Sequence, residues 1–353
     1  MVINKFCTDN FKNLKEVEIT PHKGFNLFLG DNAQGKTNLL ENIFILTGCK
    51  SFRTHKERDF PRFGENLFET SLVFENSERE QSIEYVFSKE GKIQRNIKLN
   101  GVKTESRLQL FEQFKCIVFT PEDTELVTGQ PNIRRLFIDY AVAQLKPSYN
   151  TTIVRFNNIL KARNEILKKI DNPLLLEVYD TELVKYGIKI YEYRRKYIDI
   201  LKPVVCELYS KITNDKEKLN IFYAPNVTAE NYECKLKNNI SNDLRVGFTT
   251  TGVNRDELGI TINGKSAKDF ASSGQRKSVA LVLKLAVSKI FGEKCGETPV
   301  ILLDDVMAEL DKNRCDLIYE TVKDCQCFIT ACKEVEADKV FCVKNGVAAV
   351  FKN

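Results

Sequence analysis

Along the first 120 residues, apolar positions come in short runs broken by turn residues. Residues 15–30 read as a strand pair ending in Phe25-Asn26-Leu27-Phe28-Leu29-Gly30, and a helix is predicted from about Lys36 to Thr47. Residues 69–76, 81–88 and 92–100 are rich in β-branched and aromatic side chains. Glu90-Gly91 and Asn100-Gly101 supply turn chemistry between and after them, so an antiparallel meander is expected. Cys116-Ile117-Val118-Phe119, closed by Pro121, reads as a short buried strand.

Near Glu125 the texture changes. From Ile133 to about Ile212 turn residues are sparse and the period becomes helical. Leu176, Tyr179, Leu183, Tyr186, Ile190, Tyr193, Tyr197 and Leu201 recur every three or four residues, which predicts one core-facing stripe of a long helix. Strand texture returns with Leu219–Tyr223. A helix near Asn231–Ser241, strands near 245–251 and 258–263, a helix over 274–291 and strands at Val300–Leu303 and Phe328–Thr330 follow. The expected fold class is α/β, with an antiparallel β subdomain and an inserted helical lobe. Residues 1–124 and 216–353 form the α/β lobe, and 125–215 form the insertion.

Composition narrows this picture only a little. Of 353 residues, 42% are hydrophobic, enough for sizeable cores and against global disorder. The net charge of +5 permits a polyanionic partner without demanding one. The 11 cysteines contain no CxxC pair, and Cys325 with Cys327 is weak metal evidence, so neither a zinc site nor a disulfide framework is suggested. Abundant thiols, a start (Met-Val-Ile-Asn-Lys-Phe) without a signal peptide's apolar region, and the lack of any membrane-length apolar segment lead us to expect a cytoplasmic protein with no membrane partner.

The chemistry is concentrated in two places. Gly30-Asp31-Asn32-Ala33-Gln34-Gly35-Lys36-Thr37 matches GxxxxGK[ST], after an apolar strand and at the opening of a helix, which is where a phosphate-cradling loop belongs. Gly30 and Gly35 let the backbone approach phosphates closely, and the helix N-terminus favours their charge. Lys36 is expected to reach the β- and γ-phosphates of ATP, and Thr37 to ligate Mg²⁺. Far downstream, Pro299-Val-Ile-Leu-Leu-Asp304-Asp305 is an apolar strand ending in carboxylates. Asp304 is expected to bind Mg²⁺, directly or through water, and Asp305 is placed to orient or deprotonate the attacking water.

A third motif gives the order its meaning. Ala271-Ser272-Ser273-Gly274-Gln275-Arg276-Lys277 precedes a helix and resembles the ABC signature, with Ser272, Gly274 and Gln275 as its nucleotide-contacting residues. Standing alone, a Ser-rich loop before a helix is an ordinary N-cap. Ala308-Glu309-Leu310-Asp311 resembles the ABC D-loop. Transport ATPases of that superfamily carry a histidine after the acidic strand. This chain has only His22 and His55, both far upstream, and Thr330 stands where that histidine would be.

Within this superfamily the chain resembles the RecF family over essentially its whole length. The residues that carry the resemblance are Asn10-Phe11-Lys12-Asn13, Ser51-Phe52-Arg53-Thr54, Thr120-Pro121-Glu122-Asp123, Arg134-Arg135-Leu136-Phe137-Ile138-Asp139 and Arg255-Asp256-Glu257-Leu258, besides the motifs above. Asn254, Ser273 and Lys277 depart from the residues usual in that family. The resemblance implies an ABC-type ATPase lobe, an ATP-dependent homodimer, and weak DNA-stimulated ATP hydrolysis that drives release. It implies binding to duplex DNA at single-strand gaps, and partnership with RecR in loading RecA. Arg53, Lys161, Arg163, Arg194 and Arg195 are the candidate DNA contacts. A nuclease reading would need a further carboxylate cluster for two metals, which no motif suggests.

Overall fold

The computed structural model describes residues 1–53, 56–104, 106–169 and 173–352; Thr54 and His55 lie outside the described residues. The chain divides into two compact units, Met1–Glu122 with Phe291–Asn353, and Asp123–Ile290. The second unit therefore takes in residues to Ile290, beyond the helical insertion read over 125–215.

The first unit holds two six-stranded sheets. One is antiparallel, in the order Val17–Ile19, Val2–Asp9, Leu67–Glu75, Glu80–Ser88, Gln94–Leu99, Val102–Thr104. Burial alternates along Leu67–Glu75 and Glu80–Ser88, as expected of a sheet with one wet face. On the dry face Phe11, Phe60, Phe68 and Phe87 stack and meet edge-on, with centroids 5.4–5.8 Å apart.

The other sheet runs Val347–Lys352, Lys339–Lys344, Phe25–Leu29, Cys327–Ala331, Val300–Asp304, Cys116–Phe119. All its pairings are parallel except the first, an antiparallel hairpin. Cys116–Phe119, Val300–Asp304 and Cys327–Ala331 are buried at every position, which is why they read as unbroken apolar runs. The hairpin and the strand Val2–Asp9 were not read from the sequence. Asn345-Gly346, with φ of 52° and 76°, is a two-residue turn whose dipeptide signals a hairpin.

The second unit contains the helices Pro131–Leu145, Pro147–Lys169 and Pro173–Thr213 and a three-stranded sheet of Leu219–Ala224, Glu257–Ile262 and Lys265–Ser266. The stripe on the long helix faces inward: Leu176, Leu183, Ile190, Tyr197 and Leu201 are buried, with Tyr179, Tyr186 and Tyr193 half-buried. The strand expected over 245–251 is absent. Ile240–Val246 is a helix stopped by left-handed Gly247, and the threonines that suggested a strand spend their hydroxyls on side-chain bonds instead. Thr249 binds Asn164, and Thr250 binds Asp243.

Candidate nucleotide site

At the end of Phe25–Leu29 the chain turns through Gly30, a position with no space for a side chain, into a loop. A Cβ on Gly30 would lie 2.3 Å from the carbonyl oxygen of Val343. Gly35 has φ of 115°, and Ala33 is left-handed at 64°. The loop is braced from two sides. Asn13 donates Nδ2–H to the Ala33 carbonyl at 3.0 Å, and the hairpin turn supplies two N–H groups to Gln34: Asn345 to Oε1 at 2.7 Å and Gly346 to the carbonyl at 3.1 Å. Lys36, 4% exposed, folds its ammonium across the loop. It donates to the carbonyls of Gly30 (2.7 Å) and Asp31 (3.0 Å) and touches Cys332 Sγ at 3.4 Å.

The helix Lys36–Ile45 then begins, and Thr37 Oγ1 donates to Asp304 Oδ1 at 2.8 Å. Two motifs 267 positions apart therefore meet because parallel pairing aligns the strand ends. Burial pushes the Asp304 carboxyl above the usual range, while the hydroxyls of Thr37 and Thr330 hold it down. Asp305 follows in a left-handed conformation, φ 52°. One turn into the helix, the buried Glu41 carboxylate accepts from Lys12 and Ser51, with Arg53 Nη1 at 3.9 Å. Asn10–Asn13 and Ser51–Arg53 are thus drawn to one helix face, a convergence that spacing alone could not reveal.

These residues fit a nucleotide with its magnesium ion. Thr37 and Asp304 offer hard oxygen donors side by side, and the two glycines leave the backbone bare at a helix N-terminus.

The comparisons agree with this geometry. Residues 2–351 match the family model for the RecF/RecN/SMC N terminal domain. The chain is 34% identical to DNA replication and repair protein RecF of Clostridium novyi (strain NT), covering 98% of this chain and 99% of that one. It is 35% identical to the protein of that name from Clostridium beijerinckii (strain ATCC 51743 / NCIMB 8052), covering 96% and 95%.

The chain belongs to the RecF family.

A solved structure of the recombination mediator protein RecF-ATPrS in the RecFOR pathway superposes with a TM-score of 0.92 at 33% identity, covering 99% and 98%. The Smc head domain from Pyrococcus furiosus, with an extended coiled coil and bound to the C-terminal domain of ScpA, shares the fold with a TM-score of 0.60 at 18% identity, covering 99% and 96%. The fold of this RecF-family chain is therefore that of an ABC-type ATPase.

The segment Ala271–Lys277, which resembles the ABC signature, forms a complete capping box. Gln275 N–H donates to Ser272 Oγ at 3.2 Å, and Ser272 N–H donates to Gln275 Oε1 at 2.8 Å. Gln275 Nε2 also donates to Glu217 at 2.8 Å. Ser272 is exposed and Gly274 half-buried.

The family motifs Arg134–Asp139 and Arg255–Leu258 join in the second unit. Arg134 pairs with Glu257 through Nε (2.6 Å) and Nη2 (2.8 Å), and Arg135 Nη1 donates to the Asp256 carbonyl at 2.9 Å. Arg194 sits between Asp139 (2.8 Å) and Asp256 (3.0 Å).

That placement corrects two of the expected DNA contacts. Arg194 is 3% exposed, and Arg163 is fully buried between Asp180 (2.6 Å) and Asp243 (2.7 Å). A buried guanidinium committed to carboxylates is structural and cannot reach a phosphate backbone. Lys161 and Arg195 are exposed, Arg195 over the Tyr191 ring at 5.5 Å, and Arg53 is half-exposed, bound to Asn38 Oδ1 at 2.9 Å. No helix among the described residues is long and apolar enough to cross a membrane.

Proposed function

We propose that the chain is an ATP-dependent DNA-binding protein of replication and recombinational repair. It dimerises on ATP, binds duplex DNA at single-strand gaps, helps load RecA with RecR, and lets go as ATP is slowly hydrolysed under stimulation by DNA. The observation that carries the reading is the meeting of Gly30–Thr37 with Asp304, beside Asp305, in a chain that matches a RecF protein over 98% of its length. RecF with ATP has been solved in the RecFOR pathway, and that context supports the partners.

In this reading Gly30, Asp31, Asn32, Ala33, Gln34 and Gly35 wrap the phosphates, and Lys36 leaves the loop carbonyls for the β- and γ-phosphates. Thr37 and Asp304 hold Mg²⁺, which supplies charge stabilisation for the transferred phosphoryl group. Asp305 takes the proton of the attacking water. Ser272, Gly274 and Gln275 present a capped helix N-terminus to the γ-phosphate bound by a second copy, so nucleotide occupancy becomes a dimerisation switch. Arg53, Lys161 and Arg195 contribute phosphate contacts along the duplex.

The test is a titration of gapped and intact duplex with ATP and with ADP at several salt concentrations. ATP should tighten binding, and log affinity should fall linearly with log salt. Equal binding with ADP, or indifference to salt, counts against an ATP-gated electrostatic clamp.

A further inference from the structure

Thr330, on the strand beside the one that ends in Asp304, has surroundings that give it specific work. It is fully buried near the end of Cys327–Ala331, in register with Asp304 on the neighbouring parallel strand. Its hydroxyl donates to Asp304 Oδ1 at 2.9 Å and accepts the backbone N–H of Asp305 at 2.8 Å. The Asp304 oxygen it binds is also the one that accepts from Thr37. Asp305 is held left-handed at φ 52°, a conformation that L-residues adopt sparingly and that surrounding structure must impose.

A single hydroxyl thus reaches both acids. We infer that Thr330 is a positioning residue for ATP hydrolysis: it fixes the Asp304 carboxylate for the metal and locks the backbone turn that aims Asp305. This rests on the nucleotide-site reading above. A threonine placed only for strand packing has no need of acidic partners from the next strand. This one donates to a carboxylate and accepts from the next residue's amide. Each bond has a consequence. Without the donor, Asp304 keeps only the Thr37 hydroxyl, a group that a bound Mg²⁺ would compete for. Without the acceptor, the Asp305 amide loses its partner and the left-handed turn loses its anchor.

The experiment uses the full chain with Thr330→Val, which keeps the shape of the side chain in a buried strand, Thr330→Ser, which keeps the hydroxyl, and Lys36→Ala. Fluorescent-ATP affinity is measured in EDTA and in Mg²⁺, with single-turnover hydrolysis alongside. For Thr330→Val the affinity in EDTA should stay within about twofold of the parent, while the gain on adding Mg²⁺ and the hydrolysis rate each fall roughly 10- to 100-fold. Thr330→Ser should recover most of both. Parental hydrolysis in Thr330→Val, a Ser variant as slow as the Val variant, or an affinity loss equal with and without Mg²⁺ overturns the assignment. If Thr330→Val fails to fold, Thr330→Ala against Thr330→Ser gives the same contrast. Lys36→Ala separates the two levels. If it binds ATP like the parent, the nucleotide-site reading itself is wrong. If it loses binding while Thr330→Val hydrolyses normally, only the role of Thr330 fails.

Discussion

Removing the Arg163 side chain separates a structural guanidinium from a DNA contact. Arg163 and Asp243 are fully buried, and the Asp180 side chain is 13% exposed. Arg163→Ala leaves both carboxylates without their cation. Asp243 retains the N–H of Thr250 at 2.8 Å, which offsets part of the loss, and Asp180 loses the Nε bond at 2.6 Å. Breaking a buried pair on one side costs about 3–5 kcal/mol, because an uncompensated charge stays behind. With two carboxylates orphaned, the upper half of that range is expected. In a unit of this size each kcal/mol moves the midpoint by about 2–4 °C, so the melting temperature should fall by roughly 8–20 °C. Lys161→Ala, two positions earlier and exposed, should change stability by less than about 0.5 kcal/mol. Thermal and urea melts of both variants, followed by DNA titration at a temperature where both are folded, make the comparison. A stable Arg163→Ala protein that has lost salt-dependent DNA affinity would refute the burial argument.

Lys36→Ala should weaken ATP binding by roughly 10- to 100-fold, from the loss of charge-assisted bonds, and abolish ATP-dependent dimerisation in sedimentation. Asp305→Asn keeps the shape and removes the base, so hydrolysis should fall at least ~100-fold while ATP-bound dimers accumulate; a parental rate counts against its role. Ser272→Arg should block dimerisation with monomer ATP binding unchanged, and loss of monomer binding would favour a purely local cap. Burial holds the Lys115 ammonium down at about 8, against the ordinary 10.5. The unfolded chain therefore holds this proton between those values while the native chain does not, and stability rises with pH across that window, by at most about 3 kcal/mol. Below it, both states are charged and this contribution is flat. Denaturation of the parent and of Lys115→Met at pH 7.5 and 10 checks the sign: the rise should be missing in the variant.

The central elements were legible because a single physical rule governs each. Cys116–Phe119 is a buried parallel strand and reads as a bare apolar run, and its bounds match the expectation. The Gly30–Thr37 loop and the Asp304 strand have the backbone their residue types call for, a left-handed Gly35 and a strand buried at every position. Long-range partnerships were not legible. Nothing in the local sequence says that Arg163 meets Asp243, or that Arg194 meets Asp139 and Asp256, so a basic cluster on a helix looked like a solvated, DNA-facing surface. Thr249–Thr251 misled in the opposite way: β-branched propensity pointed to a strand where hydroxyl bonds to Asn164, Asn239 and Asp243 set the conformation. The Asn345-Gly346 hairpin carries a turn signal, whereas Val2–Asp9, with Val2-Ile3 and Phe6-Cys7 apolar and a register shift at Ile3/Lys5, hides its strand because it does not alternate.

The strand that leads into the phosphate loop has neighbours drawn from the opposite end of the sequence. Phe25–Leu29 lies between Cys327–Ala331 and Lys339–Lys344, and the loop's brace on Gln34 comes from Asn345 and Gly346. During synthesis this apolar strand is made early and stays without either sheet neighbour for about 300 residues, some fifteen seconds to a minute at ribosomal speed. Asp123–Ile290 can collapse locally in that interval, whereas the ATP-binding sheet closes only when its late strands emerge. The nascent chain should therefore depend on chaperones through this middle stretch, and a ribosome stalled before residue 327 should display a nucleotide loop that cannot yet hold ATP.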